Sequence, residues 1–190
     1  MGRHHIRLGT QIQGVELVGV VDREESRRNE MTETFGGKGF ATYVYFYGGG
    51  LKKGSKDLAS EYCAEIRQSF AQAGVAVVTP DYRLSPKVKY PAYVDDAAAA
   101  FAWTVKHIAE HGGDPHKVFI GGHSAGATLA LLVGMDPNRL KPHGLSLGAV
   151  AGIAQVSAQV LTHYTIREER GQSRYAITCD EAAPAFYIRK

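Results

Sequence analysis

From residue 41 onward, two kinds of apolar pattern alternate along the chain. Continuous apolar or β-branched runs predict strands, and apolar positions three and four residues apart predict helices. The predicted strands are 41–47, 75–79, 117–120 and 147–156, and one more begins at 185–188. The predicted helices are 56–73, 93–111 and 124–133. This alternation predicts an α/β fold, with a mostly parallel sheet, helices on both faces and right-handed crossovers.

The first forty residues show a different pattern. Residues 15–22 predict a strand ending in Asp22, and residues 23–35 predict a polar, solvated helix. An acid at the end of a strand is typical of dinucleotide sites, but no G-x-G-x-x-G precedes this one, so an ordinary edge strand is the better interpretation. We therefore divide the chain into residues 1–40, part of the core or appended to it, and an α/β core, 41–190.

Composition and charge argue against several classes of protein. The 190 residues carry a net charge of +3 with no basic stripe, which argues against nucleic acid as a partner. The two cysteines, Cys63 and Cys179, make neither a disulfide framework nor a metal-ligand spacing. No apolar run could span a bilayer and residues 1–13 lack a signal-peptide core, so we expect a cytoplasmic protein without a membrane partner. We expect no cofactor and no metal.

The segment 122–126, Gly-His-Ser-Ala-Gly, lies between a predicted strand and a predicted helix. This is the context of a G-x-S-x-G nucleophile elbow, in which the serine occupies a tight turn and its neighbours must be very small. At the start of a helix the serine also faces free backbone N–H groups and the positive end of the helix dipole. Ser124 is therefore the candidate nucleophile.

A second glycine-rich segment, 47–50, follows the predicted strand 41–47. Consecutive glycines there allow backbone N–H groups to turn toward a substrate carbonyl oxygen, as in an oxyanion hole. The alternative is a merely flexible loop. The two segments together favour acyl-transfer chemistry.

With these segments, the chain resembles the hormone-sensitive-lipase-like and small-carboxylesterase branch of the α/β-hydrolase family. The matching segments are 44–57, 79–86, 90–131 and 180–190. The resemblance implies hydrolysis of small carboxylic esters through an acyl-enzyme on Ser124. It also implies an oxyanion hole formed by the N–H groups of Gly49, Gly50 and Ala125. The chain departs from the family at Tyr47, where a histidine usually braces the glycine loop. By the same resemblance, residues 81–83 and 95–96 hold loops and helix starts together, a structural and not a catalytic role.

The family order is serine, then acid, then histidine, and no histidine follows His163. The resemblance therefore implies a C-terminally truncated fold that lacks the usual acid and base. His163 is a possible base and Asp180 a possible acid. The alternative to an esterase is a non-catalytic hydrolase-like fold, or a fragment without these residues.

Two further expectations concern surfaces. An unpaired sheet edge would favour a homo-oligomer, unless the terminus is reshaped to cover it. Lys52, Lys53 and Lys56 beside the glycine loop would favour an acidic substrate, although ordinary surface lysines are the simpler interpretation.

Overall fold

The computed structural model describes the backbone of residues 6–8, 17–20, 39–57 and 61–188, and within these ranges it contains one six-stranded sheet. The strands are β1 Ile6–Leu8, β2 Leu17–Val20, β3 Phe40–Phe46, β4 Ala76–Pro80, β5 Gly113–His123 and β6 Gly152–Val156. Their order across the sheet is β1-β2-β4-β3-β5-β6. The pairs from β4 to β6 are parallel, while β1 and β2 join antiparallel to β4.

Four α-helices lie within the described residues. They are α1 Glu61–Gln72, α2 Ala92–His107, α3 Ala125–Met135 and α4 Tyr164–Glu169. Short 3₁₀ helices follow at Ile108–His111, Lys141–His143, Leu147–Ala149 and Pro184–Tyr187. No helix in the described part of the chain is long and apolar enough to cross a membrane.

The core is built around β3 and α3. Strand β3 has parallel neighbours on both sides, and Val44 and Phe46 are completely buried. Helix α3 is buried on nearly every side, including Leu129 and Leu132. A strand covered on both faces and an all-apolar helix are expected in a parallel sheet. The core therefore holds the strand that precedes the glycine segment and the helix that follows the predicted serine.

The register brings three loops to one edge of the sheet. Phe46 pairs with Gly122, and His123 pairs with Val156, so β3, β5 and β6 end at the same level. The carboxyl ends of parallel strands are where ligand sites form in open α/β sheets. The glycine segment after β3, the serine after β5 and the segment after β6 therefore meet.

The structure differs from the sequence predictions at several elements. Residues 147–156 divide into a 3₁₀ helix and the shorter β6, and β5 is longer than the predicted 117–120. The strand predicted at 185–188 is wrong, because Pro184 opens a 3₁₀ helix there. Lys56 lies in a turn before α1. The strand predicted at 15–22 is β2, which is not an edge strand because β1 pairs with its outer side. The helix predicted at 23–35 lies outside the described residues.

Strand β6 forms one edge of the sheet, and its side chains are not covered by the C-terminal segment. Ile153 is 37% exposed and Val156 is 57% exposed. The C-terminal segment instead packs beside α3, through residues 184–187.

Candidate active site

Ser124 occupies a strained turn between β5 and α3. Its backbone has φ 54° and ψ −120°, a conformation that non-glycine residues rarely adopt, and the next residue begins the helix. Its N–H donates to the Val156 carbonyl of β6 over 2.9 Å. The half-buried side chain makes no hydrogen bond through its hydroxyl to any described residue. The turn thus exposes an unpartnered hydroxyl at the sheet edge.

Two glycines of the elbow permit close contact between α3 and the end of β3. A Cβ on Gly122 would lie 2.4 Å from the Phe46 carbonyl oxygen, and one on Gly126 would lie 2.1 Å from the same oxygen. No side chain fits at either position. The two glycines of G-x-S-x-G are therefore needed for the packing of α3 on β3 as well as for the turn.

The glycine loop, residues 48–50, lies directly beside the serine. A Cβ on Gly48 would be 3.2 Å from Ser124 Cβ. Gly49 and Gly50 have φ values of 132° and 66°, which glycine adopts without steric cost. No described residue accepts a hydrogen bond from the N–H of Gly49 or Gly50. Two unpaired donors thus lie in the loop that contacts the nucleophile turn.

Tyr47 braces this loop in place of the family's histidine. Its ring stacks on Tyr82, with centroids 4.5 Å apart, and the Tyr82 hydroxyl donates to the Tyr47 carbonyl over 2.7 Å. A Cβ on Gly54 would lie 2.8 Å from the Tyr47 ring, so the chain folds back over that ring. Burial, with the nearby Asp81 carboxylate, raises the pKa of Tyr47 well above its ordinary value. The Tyr47 ring thus packs against Tyr82 and against the backbone at Gly54.

The carboxylates of Asp81 and Asp96, which are predicted to be structural, bind other groups of the protein. Asp81 accepts a hydrogen bond from the Lys56 backbone N–H over 2.7 Å. Asp96 binds the Arg83 guanidinium through both oxygens, at 2.7 and 2.8 Å.

Two of the three lysines beside the glycine loop, Lys52 and Lys56, are paired with carboxylates. Lys52 Nζ lies 2.6 Å from Glu168, and the buried Lys56 Nζ lies 3.4 Å from Asp81. These pairs correct the expectation that Lys52 and Lys56 favour an acidic substrate, because each charge already has a partner within the protein.

His163, the possible base, caps helix α4. Its side chain is buried, and Nδ1 accepts the Thr165 backbone N–H over 3.2 Å. Burial, with the neighbouring Arg167 charge, lowers the pKa of His163 to about 4. The ring makes no hydrogen bond to Ser124. Its role as a base stays a prediction, and the capping contact argues against it.

Asp180, the possible acid, is bound by other groups. It accepts hydrogen bonds from the Thr162 hydroxyl and the Ala182 N–H, and pairs with Arg170 at 2.7 Å. Burial acts to raise the pKa of Asp180, but the hydrogen bonds and Arg170 hold it below its ordinary value. None of its hydrogen-bond or ion-pair partners is His163, so the acid role also stays a prediction.

Sequence reasoning missed the contacts that α4 makes with the glycine loop. The Thr165 hydroxyl donates to the Gly50 carbonyl over 2.6 Å, and Tyr164 places its hydroxyl 2.1 Å from the position a Gly50 Cβ would take. No local pattern signals a contact between residues 115 positions apart. The described residues contain no group of three or more His, Cys, Asp or Glu side chains that could hold a metal ion.

Several named proteins are similar in sequence. Lipase 2 of Moraxella sp. is 39% identical over 93 residues, which are 49% of this chain and 21% of the lipase. Esterase LipI of Mycobacterium tuberculosis is 39% identical over 90 residues, 47% of this chain and 27% of the esterase. Versiconal hemiacetal acetate esterase of Dothistroma septosporum is 30% identical over 129 residues, 68% of this chain and 37% of that enzyme.

A solved structure has the same fold. The apo form of Thermogutta terrifontis esterase 2 superposes with a TM-score of 0.72 and 25% identity, over 99% of this chain and 68% of that one. The matched segments span only between 21% and 37% of the three relatives' own length. Esterase and lipase relatives do not favour the non-catalytic alternative. Residues 43–187, more than half of the chain, match the family described as the alpha/beta hydrolase fold, and the chain therefore belongs to the α/β-hydrolase family.

Proposed function

We propose that this protein hydrolyses carboxylic esters through an acyl-enzyme on Ser124. The observation that carries the proposal is the strained turn at Ser124, which presents an unpartnered hydroxyl beside the glycine loop. Backbone strain of this kind costs on the order of 1–3 kcal/mol and persists where the surrounding structure enforces it. A strand-to-helix turn of this shape is the geometry of a nucleophile elbow.

In the proposed reaction, Ser124 Oγ attacks the ester carbonyl carbon and its proton passes to a base. The carbonyl oxygen becomes an oxyanion held by the N–H groups of Gly49, Gly50 and Ala125. Collapse of this intermediate breaks the bond to the alkoxy oxygen, which takes the proton and leaves as the alcohol. Water then attacks the acyl-enzyme and releases the carboxylic acid.

Two features of the structure support the oxyanion assignment. The N–H groups of Gly49 and Gly50 have no acceptor among the described residues. Ala125 is the first residue of α3, where N–H groups have no partner within the helix and the helix dipole is positive. An oxyanion at this point would be stabilised from two sides.

The proposed substrate class is small carboxylic esters. The similar proteins are named as a lipase and as esterases, one of them for an acetate ester. His163 and Asp180 remain the candidate base and acid.

The test is active-site labelling of the full chain with a fluorophosphonate probe, together with turnover of p-nitrophenyl acetate. We expect labelling at Ser124 and its loss in Ser124→Ala. The matched control is Ser157→Ala, because Ser157 is a second serine with positive φ, 57°, at the same sheet edge. Labelling that survives in Ser124→Ala, or that disappears equally in Ser157→Ala, would show that the assignment is wrong.

A further inference from the structure

The segment that follows β6, residues 157–168, runs from the nucleophile turn to the glycine loop, and we name it the bridge segment. We propose that the bridge segment sets the spacing between Ser124 and the glycine-loop donors, with Thr165 as its positioning residue. This inference rests on the proposed esterase function. It assigns a role in that reaction to residues that lie outside the serine and glycine motifs.

The first anchor of the bridge segment is on helix α3. Thr128 Oγ1 lies 3.4 Å from the Ser124 carbonyl oxygen and 3.2 Å from the Gln159 carbonyl oxygen. The same hydroxyl accepts the Gln159 N–H over 3.1 Å. Gln159 is therefore bound to the first turn of the helix that carries the nucleophile.

The middle of the bridge segment fixes the start of α4. The Gln159 side-chain oxygen accepts the Tyr164 N–H over 3.1 Å, and His163 Nδ1 accepts the Thr165 N–H. Unpaired N–H groups at a helix start are satisfied here by two side chains. The position of Thr165 is thus determined by Gln159 and His163.

The second anchor is on the glycine loop. The buried Thr165 hydroxyl donates to the Gly50 carbonyl over a short 2.6 Å. The Tyr164 hydroxyl fills the space beside Gly50 and has no hydrogen-bond partner among the described residues. Lys52 pairs with Glu168 one turn further along α4. Two adjacent residues of α4 therefore contact the glycine loop, and a third contacts the turn that follows the loop.

A loop of three glycines has no side chains to hold its peptide planes. The Gly49 carbonyl accepts the N–H groups of Lys52 and Lys53, which orients the peptide plane that carries the Gly50 N–H. The hydrogen bond from Thr165 to the Gly50 carbonyl fixes the next peptide plane, between Gly50 and Leu51, and so holds the end of the loop from which the donors project. Oxyanion stabilisation depends on donors held about 2.7–3.1 Å from the developing charge. A misplacement of about 1 Å can cost a rate factor of roughly 100. The bridge segment supplies this constraint.

The test compares Thr165→Val, which removes the hydroxyl at nearly constant volume, with Thr165→Ser, which keeps it. The matched control is Thr104→Val, since the buried Thr104 hydroxyl donates to the Ala100 carbonyl within α2 and does not touch the glycine loop or the bridge segment. Fluorophosphonate labelling of each full-length variant gives a limiting rate and a half-saturating probe concentration. Relaxation of ¹⁵N-labelled glycines reports the order parameter of Gly50 independently of reactivity.

We expect Thr165→Val to lower the limiting labelling rate by about 10- to 100-fold with the half-saturating concentration unchanged. Thr165→Ser should restore the rate, and Thr104→Val should keep it. The order parameter of Gly50 should fall from about 0.85 toward 0.6 in Thr165→Val alone. Equal losses in Thr165→Val and Thr104→Val, or no loss in either, overturn the proposal.

Two further arms keep the result decisive. If Thr165→Val does not fold, Gln159→Ala takes its place in the comparison. Gln159→Glu is then the variant that keeps the side-chain acceptor. Gln159 is exposed, so both variants should fold. If the wild-type protein is not labelled at Ser124, the proposed function fails. The order parameter of Gly50 then still decides whether the bridge segment holds the loop.

Discussion

At the scale of single residues, Gly50 is constrained by its backbone and by a neighbour. Its φ of 66° disfavours any side chain, and the Tyr164 hydroxyl would lie 2.1 Å from a Cβ. Gly144 isolates the first effect, because its φ is 75° and nothing lies within 4 Å of its Cβ position.

We therefore expect Gly144→Ala to lower the free energy of unfolding by about 1 kcal/mol, the usual cost of a left-handed alanine. Gly50→Ala should cost about 1–2 kcal/mol more because of the steric conflict. Adding Tyr164→Phe, which removes the conflicting oxygen, should recover most of the excess. Urea denaturation of the four proteins measures these differences, and equal costs for the two glycine variants would contradict the prediction.

His163 links stability to pH. The unfolded chain takes up the proton near pH 6.5, whereas burial delays protonation of the folded protein to about pH 4. The unfolded state therefore binds more protons between these values, so stability from this group is complete above pH 6.5 and is lost as the pH falls toward 4.

We expect His163→Asn to reduce this pH dependence, since asparagine can still cap α4 but does not titrate in this range. The wild type should lose about 2–3 kcal/mol more than the variant between pH 7 and pH 4. Denaturation at a series of pH values measures the difference. Loss of Ser124 labelling in this folded variant would identify His163 as the base, and persistent labelling would show that another group takes the proton.

At the scale of elements, the packing of β5 against β6 depends on Gly121. A Cβ there would lie 1.8 Å from the Ala154 carbonyl oxygen, which already accepts the Tyr43 hydroxyl over 2.6 Å. Because the obstacle is backbone in the neighbouring strand, we expect Gly121→Ala to cost about 3 kcal/mol or more. Gly148→Ala is the control, since its nearest contact would be an ordinary 3.4 Å. Thermal unfolding should separate the two variants clearly.

Element order could be predicted from the sequence because it depends on local periodicity. The helices and the first parallel strands have strong patterns, and their centres agree with the structure. Ends depend on neighbours instead. Strand β5 extends to residue 113 because Phe40 pairs with Gly113, and residues 147–149 turn away from the strand as a 3₁₀ helix. Neither event has a local signal.

The candidate site likewise has parts that could be predicted from local sequence and parts that depend on distant contacts. The serine turn and the glycine loop are visible as short motifs, because each needs small residues at fixed spacing. The contact of Thr165 with Gly50 is not, because a single threonine far along the chain carries no pattern. The sequence signals the packing role of Tyr47 only by placing a tyrosine where the family usually has a histidine.

At the scale of the whole molecule, the β6 edge is a surface open to association. Its outer backbone is unpaired within the described sheet, and Ile153 and Val156 are exposed. Exposed apolar edge strands template pairing with other chains. We therefore expect concentration-dependent self-association of the wild type.

Val156→Lys should reduce this association, because a lysine on an edge strand opposes pairing. Ile177→Lys is the control: Ile177 is 88% exposed but lies outside the edge strand. Size-exclusion chromatography with light scattering distinguishes the variants. A wild type that stays monomeric at high concentration, or an equal effect of both lysines, would contradict the prediction.

The hydrogen bond from Ser124 N–H to the Val156 carbonyl has a consequence for how assembly and reactivity are connected. It ties the nucleophile turn to the last residue of the exposed strand, so a chain that pairs with β6 and shifts it also shifts the serine. The protein's reactivity should then vary with its own concentration, in step with its oligomeric state. A labelling rate at Ser124 that changes on dilution would show that a chain bound at the β6 edge regulates the reactivity of the serine.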